Sequence, residues 1–107
     1  GDLAYFDKDG YFYIKGKNTR FIKIFGHRVS LDSIEELITA KGYEVAVSGE
    51  ENKLFIYLKY MINFSKEFFI EELSKELTLN MSSIEIKFIE EFPRLDNGKL
   101  DYKKLDL

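Results

Sequence analysis

The chain's one proline, Pro93, is followed by Arg94-Leu95-Asp96-Asn97-Gly98-Lys99, so a lysine comes directly after an Asn-Gly turn. Proline stops the preceding strand and Asn-Gly reverses the chain, which leaves one ammonium group at a loop tip. An ammonium so placed can meet a phosphate or a carboxylate during a reaction; the plainer alternative is a solvated hairpin tip. His27 is the only histidine and invites a general-base role, yet no nucleophile stands near it in the sequence. Asp7 and Asp9 lie in Asp-Lys-Asp-Gly without a glutamate at calcium-loop spacing, so they read as a turn and not as a metal site. The chain has no cysteine, which removes disulfides, thiolate chemistry and cysteine-ligated metals.

Composition narrows the classes further. The 107 residues are 45% hydrophobic and 16% aromatic, enough for one modest core: a single small domain or a piece of a larger protein. The net charge is −3 and the 16 basic residues are scattered, so the dominant basic face that nucleic acid requires is not expected. No apolar run approaches the roughly 20 residues of a spanning helix, and no charged-then-apolar leader is present, so membrane insertion is not expected. The absence of cysteine suits a reducing, cytoplasmic setting.

The elements that must carry the lysine follow from periodicity. Leu3 to Phe6 and Tyr11 to Gly16, around Asp9-Gly10, predict a β-hairpin. Arg20 to Phe25 predicts a strand broken at Gly26. From Val29, the spacing of Leu31, Ile34, Leu37 and Ile38 predicts a helix with Ser30 as its cap, early carboxylates on its positive end, and Gly42 as its stop. Glu44–Ser48 and Leu54–Tyr60 predict an antiparallel pair around Gly49-Glu50-Glu51-Asn52. Phe69, Ile70, Leu73 and Leu77 predict a second helix from a Ser65 cap to about Leu79, and Ile84–Ile89 alternates as a third strand. The expected fold class is α+β: a small three-stranded sheet with packed helices plus an N-terminal β-hairpin.

Four stretches together resemble the C-terminal end of the adenylate-forming (AMP-binding) superfamily, which includes acyl- and aryl-CoA synthetases, adenylation domains of nonribosomal peptide synthetases, and luciferases. They are Gly1-Asp2-Leu3-Ala4-Tyr5-Phe6-Asp7-Lys8-Asp9-Gly10 through Lys17, then Ile22-Lys23-Ile24-Phe25-Gly26-His27-Arg28-Val29, then Ile34-Glu35, then Pro93 to Lys99. The resemblance runs almost end to end and in order. It implies that residues 1–17 are a strand pair left from a large N-terminal domain, and that 18–107 form the mobile C-terminal lid domain.

By the same resemblance, Lys99 bridges the substrate carboxylate and the ATP α-phosphate while an acyl-adenylate forms. Asp2 holds the ribose hydroxyls, and Lys17 stands where an arginine usually contacts the nucleotide; lysine lacks the bidentate fork, so a solvated role is equally open for it. Thr19 falls at the hinge, in place of a more usual aspartate or lysine. Gly26 lets a thiol-bearing arm pass close to the backbone, and Lys23 and Arg28 meet phosphates of CoA or a phosphopantetheine, with a structural ion pair as the alternative for each. Ser33 replaces a usual glutamate, and the link from Ile38 to Val45 is short. The implied activity is that of an ATP-dependent ligase, with ATP and Mg²⁺ bound mainly by the large domain and CoA or a carrier-protein pantetheine as acceptor. Whether a fatty, aryl or amino acid is the substrate stays open, as does a second reading in which the chain is a noncatalytic docking module for a carrier protein or adenylating partner.

Overall fold

The computed structural model describes residues 20–105, together with the backbone of Ala4–Phe6 and Phe12–Ile14. These two short runs are strands β1 and β2, paired antiparallel as the predicted hairpin. β3 (Arg20–Ile24) adds to β2 through the pairs Phe12↔Phe21 and Tyr13↔Arg20, and β4 (His27–Ser30) closes a four-stranded sheet in the order β1-β2-β3-β4.

β4 is a strand that hydrophobic periodicity did not announce. Gly26 does not merely interrupt an extended run: Phe25 and Gly26 form a two-residue turn, with φ of 47° and 84°, and His27 pairs back onto Ile24. Positive φ at both central positions is the turn geometry that matches the right-handed twist of paired strands. Extended backbone continues to Ser30, whose hydroxyl accepts from the Ser33 N–H and starts helix α1 (Leu31–Ala40). Val29 therefore belongs to the strand and not to the helix. Leu31, Ile34 and Ile38 face the core, and the chain leaves α1 through Gly42 at φ 98°.

A second sheet, β5-β6-β7, follows. β5 (Val45–Glu50) and β6 (Lys53–Lys59) are the expected antiparallel pair, joined by only two residues, Glu51 and Asn52, because both strands run further than the turn residues suggested. Helix α2 (Lys66–Leu77), capped by Ser65, and a short 3₁₀ turn (Met81–Ser83) carry the chain across to β7 (Ile84–Ile89), parallel to β6.

Gly49 shows why β5 carries a glycine within a strand. A Cβ there would stand 2.6 Å from the Lys53 carbonyl oxygen and 2.8 Å from Ile22 Cδ1 of the other sheet. Since the first of these is backbone, Gly49→Ala is expected to cost about 1–3 kcal/mol by forcing the strands apart. A urea midpoint that falls with an unchanged slope would bear this out; an unshifted midpoint would refute it.

The three-stranded sheet is covered on both faces. On one side Val45, Val47, Leu54, Ile56 and Leu58 pack with Ile22, Ile24, α1 and α2. On the other, Ala46 and Tyr57, one residue out of phase, pack with Phe92 and Leu105. The segment after β7, including the single helical turn α3 (Tyr102–Leu105), is thus a folded strap across the back of the sheet. Among the described residues, no helix is long and apolar enough to cross a membrane.

Candidate functional site

Lys99 stands at the tip of a small hairpin whose two feet are tied down. Phe92 is buried at the ingoing foot, Arg94 and Leu100 form an antiparallel bridge, and the Asp101 N–H donates to the Pro93 carbonyl over 2.9 Å. Within the tip, the Leu95 N–H donates to the Lys99 carbonyl (2.7 Å) and the Gly98 N–H to the Leu95 carbonyl (2.9 Å). Gly98 alone at the tip has positive φ, 87°, so this is a three-residue loop ending in a left-handed glycine and not a two-residue Asn-Gly turn. Asn97 acts through its side chain, Oδ1 accepting from the Lys99 N–H at 3.0 Å. The backbone of Lys99 is therefore fixed while its side chain is exposed, and among the described residues nothing pairs with its ammonium.

The outgoing foot meets a buried ionic cluster. Arg20, with only 8% of its side chain exposed, forks onto Asp32 Oδ1 through Nε (3.0 Å) and Nη2 (2.9 Å), reaches Glu35 Oε2 at 3.3 Å and donates through Nη1 to the Val47 carbonyl at 2.9 Å. The Arg20 guanidinium lies over the Tyr102 ring, 3.6 Å from Cζ to ring centre, and the Tyr102 hydroxyl donates to Glu35 at 2.9–3.0 Å. Glu35 also accepts the Val47 N–H. Burial opposes the Arg20 charge, but Tyr102, Asp32 and Glu35 outweigh it and the guanidinium is held more firmly protonated than usual.

Burial likewise pushes the Tyr102 hydroxyl well above the ordinary tyrosine value of 10.0; Glu35 adds to the shift and Arg20 offsets part of it. A raised folded-state value means that the stabilisation is complete below pH 10.0 and is lost as pH climbs through the higher folded value. Subtracting the tyrosinate absorbance titration of Tyr102→Phe from that of the unsubstituted chain should accordingly leave no amplitude near pH 10.0. An ordinary titration step there would show that the cluster is open to water.

Lys23, Gly26 and Arg28 come together at the far end of β3 from Arg20. Lys23 and Arg28 are direct cross-strand neighbours, both exposed, on a hairpin whose second strand is the edge of its sheet. The Arg28 guanidinium also lies 5.2 Å from the Phe21 ring centre. Phe25, bulky, at positive φ and 68% exposed, is held by Asn52, whose Oδ1 accepts the Phe25 N–H at 2.6 Å and whose N–H donates to Lys23. At Gly26 a Cβ would meet nothing within 4 Å, so the glycine answers to the turn and leaves open space above it.

Asp2, Lys17 and Thr19 lie outside the described residues, as do Asp7 and Asp9. His27 is exposed on β4. Among the described residues, no three His, Asp or Glu side chains are grouped to hold a metal ion; Asp32 and Glu35 are engaged by Arg20. Sequence reasoning took Asp32 for a helix-end carboxylate, took Glu35 for that and for part of the Ile34-Glu35 match, and passed over Arg20 and Tyr102. The available signal was the spacing of three between Asp32 and Glu35, which puts both on one face of α1.

No family model matches the chain. A human protein, acyl-CoA synthetase short-chain family member 3, mitochondrial, is 30% identical over 112 aligned positions that cover 92% of this chain and 16% of the relative. Among solved structures, NpsA from Klebsiella oxytoca in complex with 3-hydroxyanthranilyl-AMSN superposes with a TM-score of 0.69 at 23% identity, over 98% of this chain and 22% of that one. O-succinylbenzoate coenzyme A synthetase from Bacillus subtilis in complex with AMP gives 0.65 at 24% identity, over 100% and 23%. The chain belongs with the adenylate-forming enzymes, as their C-terminal domain. It spans about a sixth of the curated relative's length. The strap that holds Lys99 and the hairpin that holds Lys23, Gly26 and Arg28 are therefore parts of a domain of that superfamily.

Proposed function

We propose that this chain is the mobile lid of an ATP-dependent acid–thiol ligase, with residues 18–107 as the lid and 1–17 as a strand pair of the large domain. The observation that carries the reading is the exposed ammonium of Lys99, which has no partner among the described residues, on a backbone fixed at both feet. In the first half-reaction a carboxylate attacks the α-phosphorus of ATP and pyrophosphate leaves, giving an acyl-adenylate. Negative charge grows on the phosphoryl oxygens between two anions, and a prepositioned lysine offsets it without reorganising. The large domain would hold Mg²⁺ and most of ATP, with Asp2 on the ribose and Lys17 near the nucleotide. The lid would then swing about Thr19, a change of a few backbone dihedrals.

In the second half-reaction the β3–β4 hairpin would face the thiol of CoA or of a carrier-protein pantetheine. Lys23 and Arg28 fit its phosphates as opposed cations, and the open space over Gly26 fits a narrow arm. Gly26→Leu should spare adenylation and lower thioester formation by about 10²-fold, the scale of a 1 Å misplacement. Loss of adenylation instead would mark the turn as a folding element only.

The test of the whole reading is acid-dependent pyrophosphate exchange across fatty, aryl and amino acids, on the polypeptide that carries this chain with its large domain. Exchange with one acid class fixes reaction and substrate together. No exchange with any acid from a folded protein would favour a noncatalytic docking module. The separated chain is expected to catalyse nothing.

A further inference from the structure

Only Leu100 and Asp101 separate Lys99 from Tyr102, so the Lys99 backbone stays within about 10 Å of the Tyr102 backbone however the hairpin moves. The ingoing foot is held by Phe92 against the back of the sheet, with the Lys59 ammonium 5.7 Å from its ring centre, and by an exposed Arg94–Glu44 pair at 3.9 Å. Apolar packing and a solvent-exposed ion pair fix orientation weakly. The outgoing foot is held by directed contacts: the Tyr102 ring on Arg20 and the hydroxyl on both oxygens of Glu35. Arg20 opens β3, directly after the proposed hinge position Thr19, and Asp32 and Glu35 belong to α1. The cluster therefore ties together the strand that leaves the hinge, the first helix and the lysine loop.

We propose that Tyr102 is a positioning residue for Lys99: clamped between Arg20 and Glu35, it locks the lysine hairpin to the hinge-side strand so that the ammonium arrives at the phosphate in register when the lid closes. The proposal rests on the ligase reading above. Its chemistry is that of a second anchor. Without the clamp the hairpin keeps its apolar anchors, Phe92 and Leu105, but loses the directed contacts that orient it, the lid still swings, and the ammonium reaches the site displaced. The face used for thioester formation, at the other end of β3, does not pass through this clamp.

The experiment compares Tyr102→Ala and Tyr102→Phe with the unsubstituted full-length enzyme in each half-reaction. Tyr102→Ala should lower kcat for acid-dependent pyrophosphate exchange about 10²-fold with KM for acid and ATP little changed. Tyr102→Phe, which keeps the ring on Arg20 and loses the bond to Glu35, should fall between. Thioester formation from supplied acyl-adenylate should be unchanged in both. Amide hydrogen exchange at Leu95, Lys99 and Asp101 should quicken in the same order, while the β5–β6 ladder stays protected. An equal fall in both half-reactions, loss of protection throughout the sheets, or exchange kinetics untouched in both variants would overturn the proposal. Absence of pyrophosphate exchange in the unsubstituted enzyme would instead overturn the ligase reading and this proposal with it.

Discussion

Lys99→Ala is expected to lower acid-dependent pyrophosphate exchange by about 10²- to 10³-fold, the scale at which one stabilising donor matters when charge builds in a transition state. The structure makes this effect separable from folding. The side chain is exposed and, among the described residues, its ammonium has no partner, so truncation should change stability by less than about 0.5 kcal/mol. The tip is held by the Leu95, Gly98 and Asn97 hydrogen bonds, all of which use the backbone of residue 99 or none of it and survive the substitution. Lys99→Arg should recover part of the activity: it keeps the charge but replaces a compact ammonium by a planar fork of different reach. Thioester formation from supplied acyl-adenylate should be largely intact in Lys99→Ala, because there the thiol attacks the acyl carbon, the acyl C–O bond breaks with AMP as leaving group, and no bond to phosphorus is made or broken. Labelled-pyrophosphate exchange and thioester formation, measured on the same preparation, decide the matter; equal loss in both would remove Lys99 from the adenylation step.

What could be read from the chain and what could not divides along physical lines. Helices α1 and α2 announced themselves because each has a serine cap and an apolar face at helical spacing, Leu31-Ile34-Ile38 in the first and Phe69-Leu73 in the second. β7 and the β5–β6 pair were legible by length and apolar content. β4 was not, since His27 to Ser30 shows no alternation of burial, and a bulky phenylalanine at positive φ does not signal a turn. The strap was read as a loop because its anchors, Phe92 and Leu105, are isolated apolar residues whose partners Ala46 and Tyr57 lie on a face that Val45, Val47, Ile56 and Leu58 obscure in the sequence. Of the candidate site, the Lys99 tip was visible in local turn chemistry, but its role came through the resemblance. The Arg20 cluster was invisible for another reason: charged residues at the ends of strands and helices are ordinarily solvated, and only long-range packing closes water out around these.

Arg20→Met should cost about 3 kcal/mol, a large part of the ~5–15 kcal/mol that holds a domain of this size together. The substitution keeps most of the volume and removes the only cation that Asp32 and Glu35 contact within 4 Å among the described residues. Two carboxylates are then left close together, with 35% and 21% of their side chains exposed, and the Val47 carbonyl loses a donor. That partial exposure puts the cost at the low end of the range for breaking a buried pair. Arg20→Lys should cost less, about 1 kcal/mol, since the charge remains and the fork onto Asp32 is lost. A double-substitution cycle distinguishes lost charge pairing from lost packing. With Asp32→Asn and Glu35→Gln already in place, adding Arg20→Met should cost clearly less than it does in the unsubstituted chain, because no carboxylate is left without its cation. Urea unfolding of the four chains measures it. An equal cost in both backgrounds would mean that Arg20 acts through packing of its stem and the Tyr102 ring alone, and the ionic clamp on the lysine hairpin would have to be abandoned with it.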